Sequence, residues 1–509
     1  MRRMKGAAGL LTALLLAFQL SAQTFALANE DNGIKVVPVN FTHNGYSYEI
    51  EGVTKSTEGD YQIKSHSRLA ARKLPSAYDP RSSGEITTVK DQASTGACWA
   101  FSALACAEQD LIKKGLENPS AEFSVPALVL SSNSGTATGK DDFSSGGNWL
   151  FAASALANGQ GLCYEDYEPF LESGTENMIV SENKKSVSEY RLNYVMELSS
   201  TTQVKRKIME LGAVSASYFA GNGYMNHNNT AYYDPDASKN TIINHSVTVV
   251  GWDDNYSKDN FRYKPANNGA WLVKGSWGAD QDNDGFYWVS YDEAEFGQFC
   301  CYDFEESCDN TYHYSKMTGY VVNASNDGFV YGANVFTAKA DEKLDKAGFM
   351  YVGKTGSADY TLSVYTDVSD SDPIGVLETQ ISGSVSANGF YTVDFPEDIL
   401  LEEGEKYSIS VKFSGDSGRG YLLAESDRTS KAQSGQSYIS LNGKYWSDVG
   451  ADKTDSIGSL FIYAYTDDTA KPDKSSLEST LAKYGTLAGC EREANNARKV
   501  LADENASKN

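Results

Sequence analysis

The period of the apolar positions changes several times along this chain, and each change marks a segment. Gly9 to Leu20 is a continuous apolar run behind Arg2, Arg3 and Lys5, and it precedes the small-residue step Ala26-Leu27-Ala28. A basic start, an apolar stretch too short to span a bilayer and an A-x-A step are the marks of a secretory signal, assigned to residues 1–28. Residues 29–73 are polar, with period-two runs at Lys35 to Phe41 and Tyr46 to Ile50 and a basic end at Arg68 to Lys73. They read as a short propeptide or an N-terminal extension. From Trp99 to Lys114 the period becomes helical. Phe101, Leu104, Ala105, Leu111 and Ile112 recur at helix spacing, which predicts a helix with one buried face that stops at Gly115. Further helices are predicted at Trp149 to Asn158 and Thr202 to Gly212. Strands are predicted at Glu189 to Met196, Ala213 to Phe219, Ile242 to Trp252, Ala270 to Gly278 and Phe286 to Tyr291.

Beyond about residue 311 the pattern changes again. Short runs rich in Tyr, Val, Phe and Thr alternate with Gly, Ser, Asn and Asp turns: Gly319 to Val322, Gly332 to Thr337, Lys346 to Val352, Tyr360 to Thr366, Gly389 to Phe395, Tyr407 to Phe413, Tyr438 to Leu441 and Ser459 to Tyr465. That spacing predicts an all-β sandwich over 311–466. Residues 467–474, with Pro472, read as a linker. Residues 475–509 read as a helical pair, with Leu477, Leu481 and Tyr484 on one face and Ala494, Ala497, Val500 and Leu501 on another.

Length and charge narrow the classes. A chain of 509 residues exceeds one core. A net charge of -24 argues against nucleic acid and anionic lipid as partners. Seven cysteines leave six besides Cys98, which admit 15 pairings that sequence cannot choose among. No metal cluster or phosphate loop is evident, so no cofactor or metal is implied. Asp280 to Gly285 imitates the first half of a calcium loop, but Tyr291 stands where the bidentate acid belongs, and the segment reads as an acidic turn before a strand.

The candidate chemistry centres on Asp91-Gln92-Ala93-Ser94-Thr95-Gly96-Ala97-Cys98-Trp99. A cysteine at a helix N-terminus is favoured as thiolate, and the amide of Gln92 lies within reach of the same site. His245 opens a β-branched strand, and Gly146-Gly147 precedes a helix. A buried inert cysteine and a structural histidine are the bland alternatives. Together, Thr95-Gly96-Ala97-Cys98-Trp99, His245 and Lys274-Gly275-Ser276-Trp277-Gly278 resemble the papain-like cysteine proteases of family C1. Residues 74–310 then correspond to the protease domain. The resemblance implies an α+β two-lobed protease followed by a jelly-roll-like sandwich and a short helical tail. The sandwich resembles the lectin-like domain that follows the protease in some exported bacterial relatives. The tail resembles a fragment of the helical repeats of Gram-positive surface proteins.

The resemblance further implies that Cys98 is the nucleophile, His245 its base and Gln92 an oxyanion donor, with Gly146, Gly147 and Trp277 lining the substrate cleft. Two departures stand out. The family's loop disulfide is replaced by Thr95 and Ser144, and the asparagine that orients the histidine is replaced by Gly275. Ser276 and Asn268 are candidates for that lost role, and Trp277 could still shield the pair. The implied function is a secreted or cell-surface cysteine endopeptidase acting on proteins or peptides, with a carbohydrate or cell-surface ligand for the β-domain and no membrane span in the mature chain. The alternative is a catalytically weakened surface-binding protein, and a substrate such as a wall peptide stays open.

Overall fold

The computed structural model describes residues 36–43, 46–53, 73–132, 143, 146–159, 162–167, 170, 189–315, 321–323 and 329–502, with short gaps inside the longer stretches. The expected secretory signal at 1–28, residues 68–72 of the basic zone, Ser144, Asp280 to Asn283, most of the 467–474 segment and Cys490 lie outside the described residues. The two alternating runs near the N-terminus form an antiparallel hairpin, Val36–His43 against Tyr46–Val53.

The predicted helix forms as Cys98–Lys114 and closes on Gly115, whose φ of 73° puts it in the left-handed region that glycine tolerates. It does not bury a single face. Glu108, Gln109 and Asp110 are as buried as Leu104 and Leu111. The reason is that each buried acid has partners. Glu108 accepts from Thr87 at 2.7 Å and the Phe123 amide at 3.1 Å, and lies 3.5 Å from Lys90. Asp110 accepts from the Phe304 amide and from Lys114. Such pairing lets a polar residue enter a core, although Asp110 Oδ1 and Gln109 Nε2 stay buried without a hydrogen-bond partner.

This helix and its neighbours, Val125–Ser132 and Trp149–Ala157, pack on one face of a large sheet. Thr201–Leu211, held by a capping box at Ser200 and Gln203, packs Val204, Ile208 and Leu211 into a second core with Val214, Val249, Trp252 and Trp271. These are the two lobes of the protease portion.

The sheet does not end with the protease. It has 12 strands and runs from Ala231–Tyr232, through Phe286–Ser290, Ala270–Lys274, His245–Asp253, Val214–Tyr218, Gly297–Glu306 and Tyr190–Leu198, into Gly389–Leu401, Glu342–Tyr351, Ile462–Asp468 and Asn310–Tyr312, while Ala77–Tyr78 pairs with the histidine strand. The crossing is made by Gly389↔Met196, Phe390↔Val195 and Tyr391↔Tyr194. A Cβ on Gly389 would lie 2.1 Å from the Val195 carbonyl, so only glycine permits that approach.

The second face of the sandwich is a six-stranded sheet containing Val376–Val385, Ala358–Thr366, Lys406–Ser414 and Phe329–Thr337. Between the faces lie Phe336, Leu344, Phe349, Tyr407, Phe413 and Ile462. The fold is therefore a papain-like protease portion followed by an all-β portion. Helices Ser475–Tyr484 and Glu491–Ala502 follow and contact each other.

Candidate active site

Cys98 is the first residue of the central helix and is 5% exposed. One turn on, Ser102 donates to the Val247 carbonyl at 2.7 Å, and Thr248 lies 3.4 Å from the Ser102 hydroxyl. These contacts fix the helix against the strand His245–Asp253 and bring the start of one beside the start of the other. Burial pushes the Cys98 thiol above its ordinary value, against the pull of hydrogen bonds from the Ser246, Trp99 and Cys98 amides and the Ser246 hydroxyl. The helix N-terminus favours the thiolate, but in this site burial acts the other way and dominates. Desolvation outweighs the dipole, and ionisation needs a cation formed beside the sulfur.

His245 is 4% exposed. The indole of Trp277 stacks on its ring at 4.2 Å and 6°. Tyr218 sits opposite His245 in the ladder and meets it edge to face at 5.8 Å.

Gln92 is fixed at both ends of its amide. Its nitrogen donates to the Thr95 carbonyl at 2.8 Å, and its oxygen accepts from the Ser276 hydroxyl at 2.6 Å. The primary amide keeps a second N–H. The backbone repeats the tie: the Gln92 amide donates to Ser276 at 2.7 Å, and Asp91 bridges Trp277. Ala93 follows with a φ of 49°, a conformation held by its amide donating to the Asp91 carboxylate at 2.8 Å.

Gly146 has a φ of 72°. A Cβ on Gly147 would fall 2.4 Å from the Trp99 indole. The glycine at 147 is thus required by the tryptophan packed against it. Where the family carries a loop disulfide, the Gly96 amide donates to the Phe143 carbonyl at 2.6 Å. None of the described cysteines, Cys98, Cys106, Cys163, Cys300, Cys301 and Cys308, is joined in a disulfide.

Gly275 brings no side chain to His245, and neither expected substitute replaces it. The Ser276 hydroxyl is committed to Gln92. Asn268 lies in an exposed loop and accepts from the Lys258 amide. A Cβ at 275 would meet Tyr287 Cε1 and the Gly285 carbonyl, both at 3.3 Å. The Tyr287 hydroxyl lies 2.9 Å from that of Tyr218, and both residues are buried. On the other side, a cavity of about 20 Å³ is bounded by Ser102, Glu108, Ser246, Lys274 and Gly275, room for about one water. Ser102, Ser246, Tyr218 and Tyr287 were not singled out from the sequence. Tyr287 had one signal, its place two residues after Gly285 in a strand beside the 275 position.

Elsewhere, Cys308, Asp345 and Asp467 bring ligand atoms within 4.8 Å of one another. Burial pushes the Cys308 thiol up to about 12, and the Arg191 charge acts on the same group.

Residues 74–328 match the profile of the papain family cysteine proteases, and residues 311–466 match that of a lectin-like domain. The chain belongs to the papain family. Falcipain-3 of Plasmodium falciparum is 27% identical over 251 residues, 48% of this chain and 47% of that protein. Procathepsin L of Felis catus is 28% identical over 223 residues, 43% and 61% of the two chains. The chain thus spans about half to three-fifths of the length of these curated relatives.

Among solved structures, the clostridial cysteine protease Cwp84 after propeptide cleavage is similar at 28% identity and a TM-score of 0.66, over 77% of this chain and 99% of that one. The protease and lectin-like domains of Cwp84, described as a surface layer associated protein of Clostridium difficile, match at 27% and 0.66, over 81% and 91%.

Proposed function

We propose that this chain is an exported cysteine endopeptidase in which Cys98 and His245 form a thiolate–imidazolium pair. His245 takes the Cys98 proton, and the thiolate attacks the scissile carbonyl. The second N–H of Gln92 and the Cys98 amide hold the developing oxyanion. His245 then protonates the leaving amine, and water hydrolyses the thioester. Gly146, Gly147 and Trp277 line the cleft. The observation that carries this reading is the Ser102–Val247 hydrogen bond, which sets the cysteine helix against the histidine strand.

Residues 1–28 act as a secretory signal and 29–73 as a propeptide or extension. The protease portion is 74–310 and the lectin-like portion 311–466, joined by 467–474 to the helical tail at 475–509. Among the described residues no helix is long and apolar enough to cross a membrane. Export to the exterior or cell surface is supported by the sequence at 1–28 and by the likeness to a surface layer associated protein. Proteins or peptides are the substrates, and the β-portion takes a carbohydrate or cell-surface ligand. The second reading, a surface-binding protein with weakened chemistry, is favoured by one observation, the absence of a side chain at Gly275.

The deciding experiment is the rate of Cys98 alkylation against pH, with Cys98→Ala as blank. Fast labelling already at about pH 5 to 6 is expected, because an ion pair keeps the thiolate well below the free-thiol value of about 8.5. Labelling that rises only above about pH 8 overturns the peptidase reading and leaves the binding one.

A further inference from the structure

We propose that Ser246 is a further catalytic residue, whose hydroxyl donates to the Cys98 sulfur and holds the thiolate, with Ser217 behind it. This rests on the peptidase reading. The first ground is position. Ser246 follows His245 on the strand and stands directly opposite Ser217 in the antiparallel ladder, with the two hydroxyls 3.0 Å apart. The next residue, Val247, accepts at 2.7 Å from Ser102, one turn along the helix that Cys98 opens. That bond carries Ser246 to the start of the cysteine helix. Ser246 also borders the cavity beside Gly275, together with Ser102, Thr248 and Ser276, so its surroundings between helix and strand are polar.

The second ground is the change of role at the sulfur. As a thiol, the sulfur lies 4.0 Å from the Gly96 carbonyl, an acceptor that only an S–H can use. When the proton passes to His245, an S–H bond breaks and an N–H bond forms. The sulfur then carries a charge and no proton, and the partners that hold it must be donors. Ser246 supplies two, its amide and its hydroxyl, beside the amides of Trp99 and Cys98. Three of these four donors are backbone groups, and the hydroxyl alone depends on a serine at 246. A hydroxyl has one proton and two acceptor lone pairs. With its proton on the sulfur, Ser246 can only accept from Ser217, so in the ion pair that contact runs from Ser217 to Ser246. A hydrogen bond to a charged group is roughly twice as strong as a neutral one, so the two serines favour the thiolate over the thiol. The titratable groups facing the sulfur are His245, on the serine's own strand, and Tyr287 from Phe286–Ser290. Burial pushes the Tyr287 hydroxyl well above its ordinary value, so it stays protonated. Lys274 and Glu108 border the same cavity as Ser246.

The test compares Ser246→Ala, Ser246→Thr and Ser217→Ala with the wild type in the full chain. Each is read by kcat/KM and Cys98 alkylation against pH, with Cys98→Ala as blank, and by thermal unfolding. Ser246→Ala is expected to raise the midpoint of the alkylation profile by about one pH unit. Labelling below the midpoint then slows roughly 10-fold, the two profiles meet at high pH, and kcat/KM follows the same curve. Ser217→Ala should move the midpoint the same way by about half a unit, since Ser246 keeps its proton for the sulfur. Ser246→Thr keeps the hydroxyl and should keep the wild-type midpoint.

A serine that only supports the strand would lower the rate equally at every pH. A wild-type protein that labels at low pH, beside a Ser246→Ala variant whose midpoint is unmoved, therefore overturns the proposal and leaves the peptidase intact. A wild-type protein that labels only above about pH 8 overturns both. If Ser246→Ala loses its unfolding transition, the other two variants decide. An unmoved midpoint in Ser217→Ala, or a raised one in Ser246→Thr, then counts against the proposal.

Discussion

The wall that carries Cys98 is built from contiguous chain, whereas the wall that carries His245 is assembled from separate strands. On the first side, Asp91 caps Ala93, Thr95 returns its hydroxyl to the Gln92 carbonyl and its own carbonyl takes the Gln92 amide, and Cys98 opens the helix. On the second, His245 meets Tyr218 from a neighbouring strand and Trp277 beyond the following one. A contiguous device fails when one residue changes. A distributed device rests on several separate strands at once.

Substitutions on the two sides of one hydrogen bond sharpen this contrast most. Gln92→Ala removes the proposed oxyanion donor and unties the loop, and is expected to lower kcat by roughly 10²- to 10³-fold. Ser276→Ala removes only the strut on Gln92 Oε1 and should cost about 10-fold or less. Steady-state kinetics on one peptide substrate separates them. Equal losses would mean that the nucleophile wall is no more self-contained than its neighbour.

The glycines give a second, smaller contrast. Gly147→Ala drives a methyl group to 2.4 Å from an indole that is 4% exposed and packed against Phe151. That overpacking should cost about 1 to 3 kcal/mol in denaturant unfolding. Gly275→Ala meets its neighbours at 3.3 Å, and should cost about 1 kcal/mol or less. The reverse order would show that the 275 pocket is the tighter one.

The same contrast decides what could be read without coordinates. The cysteine helix, its stop at Gly115 and the strand carrying His245 follow from local periodicity and turn chemistry; the helix formed within a residue of its expected bounds, and the strand begins at His245, three residues after its expected start at Ile242. The all-round burial of the helix was hidden, because Glu108 and Asp110 look like solvent positions until Lys90, Thr87 and the Phe304 amide arrive from elsewhere. The strand Val376–Val385 was missed because it is an exposed edge whose sequence is largely polar. The Tyr218–Tyr287 contact joins residues far apart in sequence, and no spacing rule links them. The continuity of the sheet into the β-portion is equally non-local, since it rests on Gly389 lying against Val195.

That continuity gives the last and smallest effect. Glu197 sits in the Tyr190–Leu198 strand, where one carboxylate oxygen accepts from Trp149 Nε1 and the other from Asn388 Nδ2, each at 3.1 Å. Trp149 begins the helix behind the Gly146-Gly147 wall, and Asn388 precedes the strand that joins the β-portion to the sheet. Burial pushes the Glu197 carboxyl up to about 7, against both hydrogen bonds. Its ordinary value is about 4.3, so the folded state binds the proton more tightly than the unfolded chain does. The resulting contribution to stability is fully present below about pH 4 and is lost as pH rises through about 7. Glu197→Gln removes this titration. Its unfolding free energy should therefore fall less than that of the wild type between about pH 5 and 8. Asp110 and Glu293, also raised by burial to about 7, leave part of the slope in place. At pH 5 the variant should be less stable by about 1 kcal/mol, since an amide cannot accept from both donors at once. Activity should stay within about two-fold, because Glu197 reaches the cleft only through Trp149. An unchanged pH slope would show that Glu197 is not the group titrating there. A large loss of activity would instead show that the β-portion helps to hold the wall beside Cys98, so that even the contiguous side of the cleft depends on a distant part of the chain.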